Sequence, residues 1–302
     1  LLEVETERQE IDFSDNVSDV DHEDTAETLQ LGLDFTLSDM INAEFVIDYE
    51  AETGHLELDE GVINLEGETW GVSAGRLYVP FGEYYSHFVT GPLLEFGETR
   101  SSAALAADYS PINIFEIFVY AFEGDAGETG RSRNAVDWGV GFELNSLDEL
   151  WKFGAGYLSD LAESDALLLD DFDNRYENRV GGWNIYILRG MEPFEFTLEA
   201  VAAAGHYREL DASEDEPWAA NLEIAWFPRP AIQFAARVER SGELADEPKW
   251  QYDISAARRI GKYISIAVDY LYGEYQNDFV FDDDDNELDQ RNLFTAQFGL
   301  EF

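Results

Sequence analysis

Carboxylates are the side chains with the most chemistry to offer in this chain: 65 of its 302 residues are Asp or Glu, against 18 Lys or Arg, for a formal net charge of -47. The densest run is FDDDDNELD at 281–289. Its oxygens suit a hard cation, and Asp282, Asp283, Asp284 and Asp285 are weak candidate ligands, but the D-x-D-x-D-G spacing of a calcium loop is missing. The run therefore reads as a solvated acidic loop that attracts calcium weakly, as does the acidic connection 160–174. No firm metal site and no cofactor are expected.

Catalysis finds less support. His22, His55, His87 and His206 are scattered without ligand spacing. Only His206 ends a recognisable strand, and no nucleophile motif accompanies it, so Ser/His/Asp hydrolysis is not expected and the chain does not read as an enzyme. Cysteine is absent, which removes disulfides and thiolate metal sites. Gly139, Gly141, Gly154 and Gly156 alternate with apolar residues, a mark of small residues on one strand face rather than of a phosphate loop. The sign of the net charge makes nucleic acid a poor partner.

So acidic a chain would be disordered if it had little to bury, yet 45% of the residues are hydrophobic and 14% aromatic. No run approaches the roughly 20 apolar residues of a membrane-spanning helix. The chain starts LLEVETERQE, without a signal peptide, and is expected to be a mature form comprising one domain over 1–302.

The apolar residues instead recur with a period of two. LQLGLDFTL (29–37) sets Leu29, Leu31, Leu33, Phe35 and Leu37 against Gln30, Gly32, Asp34 and Thr36, and INAEFVIDY (41–49) repeats the scheme. So do VDWGVGFEL, FEFTLEA, WAANLEIAW, WQYDISAA and LFTAQFGLEF. Alternation places one apolar and one polar face on each strand. A soluble sandwich alternates too, but three features oppose it. The segments reach about nine or ten residues, the length of transmembrane strands. Trp and Tyr cluster at their ends, as in interfacial girdles. The polar faces carry charges that a sandwich core could not bury unpaired.

Connections switch between short and long, with Arg229, Arg258, Arg259 and Lys262 at short turns and acidic runs in the long ones. That matches the short periplasmic turns and long outer loops of outer-membrane barrels. Fifteen strands are countable from Thr25 onward, the Ser110-Pro111 pair is read as a turn, and a bulge is expected near Glu60-Gly61. An odd count would leave the two ends on opposite sides of the membrane, so a sixteenth strand is expected within 1–13, making 14–24 an outer loop. The fold class is thus all-β: a closed, antiparallel, porin-like transmembrane barrel of about 16 strands in a bacterial outer membrane, ending on the aromatic strand FTAQFGLEF.

The faces opposite the apolar stripes are assigned to a wet lumen, giving Asp34, Glu44, Asp108, Asp137, Glu195, Glu199, Glu223, Arg237, Asp253 and Asp269 as pore-lining residues, with Asp48, Glu143 and Lys152 beside them. Carboxylates outnumber bases, so a preference for cations is expected.

Residues 59–109, DEGVINLEGETWGVSAGRLYVPFGEYYSHFVTGPLLEFGETRSSAALAADY, contain DEG-INL, AGRLYVPFG and GPLLEFGETR in succession. This stretch, about a sixth of the chain, resembles the legiobactin-receptor (LbtU-type) siderophore porin family. The resemblance implies an outer-membrane barrel without a plug that passes a ferric siderophore. Read physically, Pro80-Phe81-Gly82 stops strand pairing, and the connection to Thr99 is long enough to fold inward. Arg76 and Arg100 at its ends are candidates for a constriction facing carboxylates.

Two functions follow from different classes. One is a passive porin for small solutes or a metal chelate, surrounded by outer-membrane lipid and able to form a homo-oligomer. The other is a structural sleeve housing a partner protein such as an electron-transfer cytochrome, which would favour small, uncharged inward residues and no inward loop.

Overall fold

A computed structural model describes residues 2–13, 20–51, 54–124, 126–128, 136–148, 150–164, 168, 175–210, 215–244, 247–275 and 288–301. The strands are β1 (Leu2–Phe13), β2 (Val20–Ser38), β3 (Ile41–Glu50), β4 (His55–Glu66), β5 (Trp70–Tyr78) and β6 (Arg100–Ile112). They continue as β7 (Phe115–Glu123), β8 (Gly127–Glu128), β9 (Val136–Asn145), β10 (Trp151–Leu158), β11 (Arg175–Tyr176) and β12 (Gly182–Met191). The last are β13 (Phe194–Ala203), β14 (Trp218–Arg229), β15 (Ile232–Gly242), β16 (Trp250–Ile260), β17 (Ile264–Glu274) and β18 (Leu288–Leu300).

Among the described residues, sixteen of these strands form a closed antiparallel barrel, while β8 and β11 make a separate, small parallel pair. Closure falls where strand parity requires it. β1 pairs with β2 on one side and with β18 on the other, with Leu2 opposite Leu300 and Arg8 opposite Phe294. The sheet therefore has no unpaired edge, the condition for backbone in hydrocarbon. The expected bulge occurs in β4, where Glu60 faces Val46 and Leu58 faces Ile47, leaving Asp59 over. The Ser110-Pro111 pair is not the turn: β6 runs through it to Ile112 and turns at 113–114, with the register shifting between Tyr109 and Ile112. Pro111 brings no N–H, and this irregular stretch of the ladder asks for none.

The alternation sorts as expected on the outside. Leu31, Phe35, Leu105, Leu222, Ile254 and Phe298 are exposed large apolar residues on strands. In water each would forfeit roughly 1.5–3 kcal/mol available from burial, so this wall is built for lipid. Inside, the chain departs from a simple wet tube. An apolar core sits within the barrel, joining Val62, Leu77, Tyr120, Phe122, Leu158 and Val201 of the wall to Phe81, Leu94 and Phe96 of the connection after β5.

Gly75 lies where β5 shifts register against β6, with φ +146. A Cβ there would sit 2.0 Å from the Gly61 carbonyl oxygen. Gly75→Ala is expected to destabilise the barrel by about 1–3 kcal/mol. Equilibrium unfolding in urea checks this, and an unchanged midpoint would contradict it.

Candidate functional site: an inward segment and the opening beside it

The connection between β5 and β6 enters the barrel and lies along its wall. Val79 N–H donates to the Thr99 carbonyl at 2.9 Å, closing the neck, and Pro80 and Gly82 (φ +90) then turn the chain inward. An apolar end is packed into the interior core, where Phe81 and Leu94 are fully buried. The rest carries backbone N–H groups that need acceptors once they leave bulk water. Strand carboxylates supply them.

Glu199 on β13 accepts the N–H groups of Glu83 and Tyr84 at 2.8 and 2.9 Å. Glu223 on β14 accepts His87 N–H at 2.8 Å and the Ser86 hydroxyl at 2.7 Å. Asp269 on β17 accepts from Val89 and Thr90, and Glu239 on β15 from Leu93 at 2.8 Å. Arg237 on β15 reaches both strands and segment: it donates to Asp253 at 2.7 Å, to Ser86 Oγ at 3.1 Å, and to the carbonyls of Thr90 and Gly91 at 3.3 and 3.2 Å. Its guanidinium lies 4.4 Å from the centre of the Phe88 ring.

Strand register makes this possible. Thr197, Glu223, Arg237 and Asp253 form one row across β13–β16, and Glu199, Asn221, Glu239 and Gln251 form the next. The segment crosses these rows out to β18, where Thr90 and Thr295 hydroxyls meet at 3.2 Å, and then returns through the 3-10 turn Leu93–Gly97.

Glu199, Glu223, Arg237, Asp253 and Asp269 thus face the interior, as alternation requires, but are only 1–2% exposed. They lie beneath the segment and do not border open water, because its backbone covers them. Asp137 is also fully buried, held by Ser159 at 2.8 Å and Arg179 at 3.1 Å near the outer end of β9. Glu195 stays half open at the edge of the segment. Among the described residues Arg76 and Arg100 pair locally and not across the lumen: Arg76 on β5 donates to the Asp59 carbonyl on the adjacent β4, and Arg100 on β6 reaches past β5 to Asp59 and Glu57 of β4. The bulge at Asp59 turns that carboxylate and carbonyl toward them. Asp282, Asp283, Asp284 and Asp285 lie outside the described residues.

Beside the segment an opening remains, with a cavity of about 410 Å³ lined by Glu44, Glu60, Asp108, Glu116 and Glu143 from the wall and Glu83 from the segment. Asp34 is exposed on β2, opposite Glu44 on β3. Lys152 bridges Glu83 at 3.2 Å and Glu143 at 3.3 Å. Alternation identified Glu44, Asp108, Glu143 and Lys152. It missed Glu239, two residues from Arg237 and so on its face, and it missed Glu60, which lies beside the bulge. The segment's own Glu83 and His87 carried no local signal.

His87 is held between Glu223 at 2.7 Å and Glu195 at 3.0 Å. Burial opposes its charged form, but the two carboxylates outweigh that and raise its pKa above the usual histidine value. A raised pKa means the charged ring holds the segment fully below about pH 6.5 and loses that hold as pH climbs through the higher folded value. Conductance is therefore expected to become larger or noisier as pH rises through that raised value. His87→Asn should remove the transition, and a wild-type conductance flat from pH 6 to 9 would contradict it.

No family model matches the chain. It is similar to a UPF0422 protein of Coxiella burnetii (strain RSA 493 / Nine Mile phase I), 31% identical over 147 residues, which make up 46% of this chain and 32% of that protein. The match spans about a third of that relative's length. Solved structures agree over nearly the whole chain. The outer membrane channel DcaP of Acinetobacter baumannii superposes with a TM-score of 0.64 at 14% identity, covering 99% of this chain and 96% of that one. OprB of Pseudomonas putida gives 0.67 at 12%, covering 100% and 93%. An anion-selective porin from Comamonas acidovorans gives 0.65 at 8%, covering 99% and 98%. The chain has the porin fold. With a closed wall and an apolar outer face, it is an outer-membrane barrel.

Proposed function

We propose that the chain is a passive porin whose passage runs beside the inward segment, through the acid-lined opening, and prefers small cationic solutes. What supports this most is the composition of the opening: the carboxylates of Glu44, Glu60, Asp108, Glu116, Glu143 and Glu83 border it, and Lys152 is already paired with two of them. Clustered carboxylates at a narrow passage with low-dielectric walls concentrate cations. The resemblance of residues 59–109 to siderophore porins adds a metal chelate as cargo, and the lining favours a chelate of positive charge. The sleeve reading has the inward segment against it, since that segment occupies interior space a threaded protein would need.

Reversal potentials of the purified protein in planar bilayers under a KCl gradient test the reading. A cation-directed shift is expected, and it should grow in Lys152→Gln, which removes the positive charge from the opening. A zero or anion-directed shift in the wild type would refute it.

A further inference from the structure

A second group of carboxylates lies away from the passage, at the outer end of β9 and in the residues after β10. Asp137 and Asp160 are fully buried and Glu163 nearly so. One oxygen from each lies within 4.8 Å of the others. Arg179 faces two of them, with Nη1 3.1 Å from Asp137 and Nε 3.6 Å from Asp160. Three carboxylates buried this close to one another repel strongly in a medium poorer than water.

Hydrogen bonding leaves the site unfinished in the same place. Asp137 Oδ1 accepts from the Ser159 hydroxyl at 2.8 Å, and Asp160 Oδ1 from Ala162 N–H at 3.2 Å. The other oxygen of each, Oδ2, accepts no hydrogen bond. Tyr207 is 1% exposed, and its hydroxyl, which interacts electrostatically with Asp160 and Glu163, has no hydrogen-bond partner. The buried Ser164 hydroxyl next to Glu163 is in the same condition. Buried polar groups are rarely left so, and each calls for an explanation.

We propose that Asp137, Asp160 and Glu163 bind one divalent cation, calcium in preference to magnesium. Calcium–oxygen bonds of about 2.3–2.6 Å allow ligand oxygens up to about 5 Å apart, whereas magnesium's near 2.1 Å allow only about 4 Å. The three ligand oxygens lie within 4.8 Å of one another, inside calcium's reach, and magnesium, which keeps several waters and demands octahedral geometry, suits such an all-protein carboxylate cage less. Bound there, it joins the end of β9 to the 3-10 turn Leu161–Glu163. Glu163 also accepts Ala126 N–H at 3.2 Å, which brings in the connection after β7. The ion would fix the outer rim and leave the passage alone.

Calorimetric titration of the whole protein in detergent, stripped with EDTA and dialysed into about 0.15 M NaCl to screen the acidic loops, tests this with calcium chloride alone and magnesium chloride alone. One saturable calcium site per chain is expected, with magnesium at least about tenfold weaker. Asp160→Asn/Glu163→Gln should lose the site and its calcium-dependent gain in thermal stability, while Asp148→Asn at an inner turn keeps both. The wild-type titration decides the matter even if the double variant does not fold, and Asp137→Asn gives a second, milder variant. A wild type without a saturable site, equal affinity for the two metals, or a folded double variant that binds calcium as the wild type does would each overturn the proposal.

Discussion

Arg237→Met should loosen the inward segment, enlarge the single-channel conductance and lower thermal stability, with the barrel still closed. The side chain is wholly buried, and Asp253 and Glu239 lie at 2.7 and 3.0 Å from its Nε. Removing it leaves two carboxylates buried without a counter-charge, a change that costs about 3–5 kcal/mol. It also takes the donors from the carbonyls of Thr90 and Gly91. The strand ladder on either side does not depend on it, so the damage should appear first in the segment. Arg237→Met/Asp253→Asn separates two effects: relieving the stranded charge should recover part of the stability, but the tether stays broken and the conductance stays high. Unchanged conductance in both variants would show that the apolar contacts of Phe81, Leu94 and Phe96 hold the segment alone.

Neutralising the opening should be the larger effect on selectivity. Glu44→Gln, Glu60→Gln, Asp108→Asn, Glu116→Gln and Glu143→Gln together are expected to abolish most of the cation preference while leaving conductance of the same order. Several charges act jointly on the passing ion, so single changes should each do little. The wild-type preference should also shrink as salt rises from about 0.1 M to about 1 M, because the screening length falls from roughly 10 Å to roughly 3 Å. Asp253 and Glu223 are poor choices for this experiment despite facing inward. Their carboxylates are committed to Arg237 and to the segment, so amides there would report on tethering. A five-fold variant as cation-selective as the wild type would move the selectivity filter elsewhere.

Much of the fold was legible because a period of two is written into most of the strands. Leu29 to Leu37 and Phe294 to Phe302 declare their faces without help from the rest of the chain. Parity alone called for β1, which shows no clear alternation: Glu3, Glu5 and Glu7 share a face, but Thr6 and Arg8 lie among the residues opposite. The turn after β6 was misplaced because proline and serine usually mark turns, and here the pair sits in an irregular stretch of ladder. The site was legible only in part. Alternation gives the face of Glu199 or Arg237 but cannot show that another segment lies on it. Burial of those residues is set by contacts more than 100 residues away, such as Glu199 with Tyr84 and Glu223 with His87. For the same reason Tyr120 and Phe122, on the inner face of β7, gave no hint of an apolar core inside a barrel.

The absence of cysteine allows the division of the interior to be measured directly. Single cysteines are placed at Glu116→Cys, on the opening, and at Asn221→Cys, between Glu199 and Glu239 under the segment, and each channel is exposed in a bilayer to a positively charged thiol reagent. Glu116→Cys should react quickly and lose current. Asn221→Cys should be protected, and should become reactive when combined with Arg237→Met. Rapid block through Asn221→Cys in an otherwise intact channel, with Glu116→Cys unreactive, would place the passage on the other side of the segment and contradict the account.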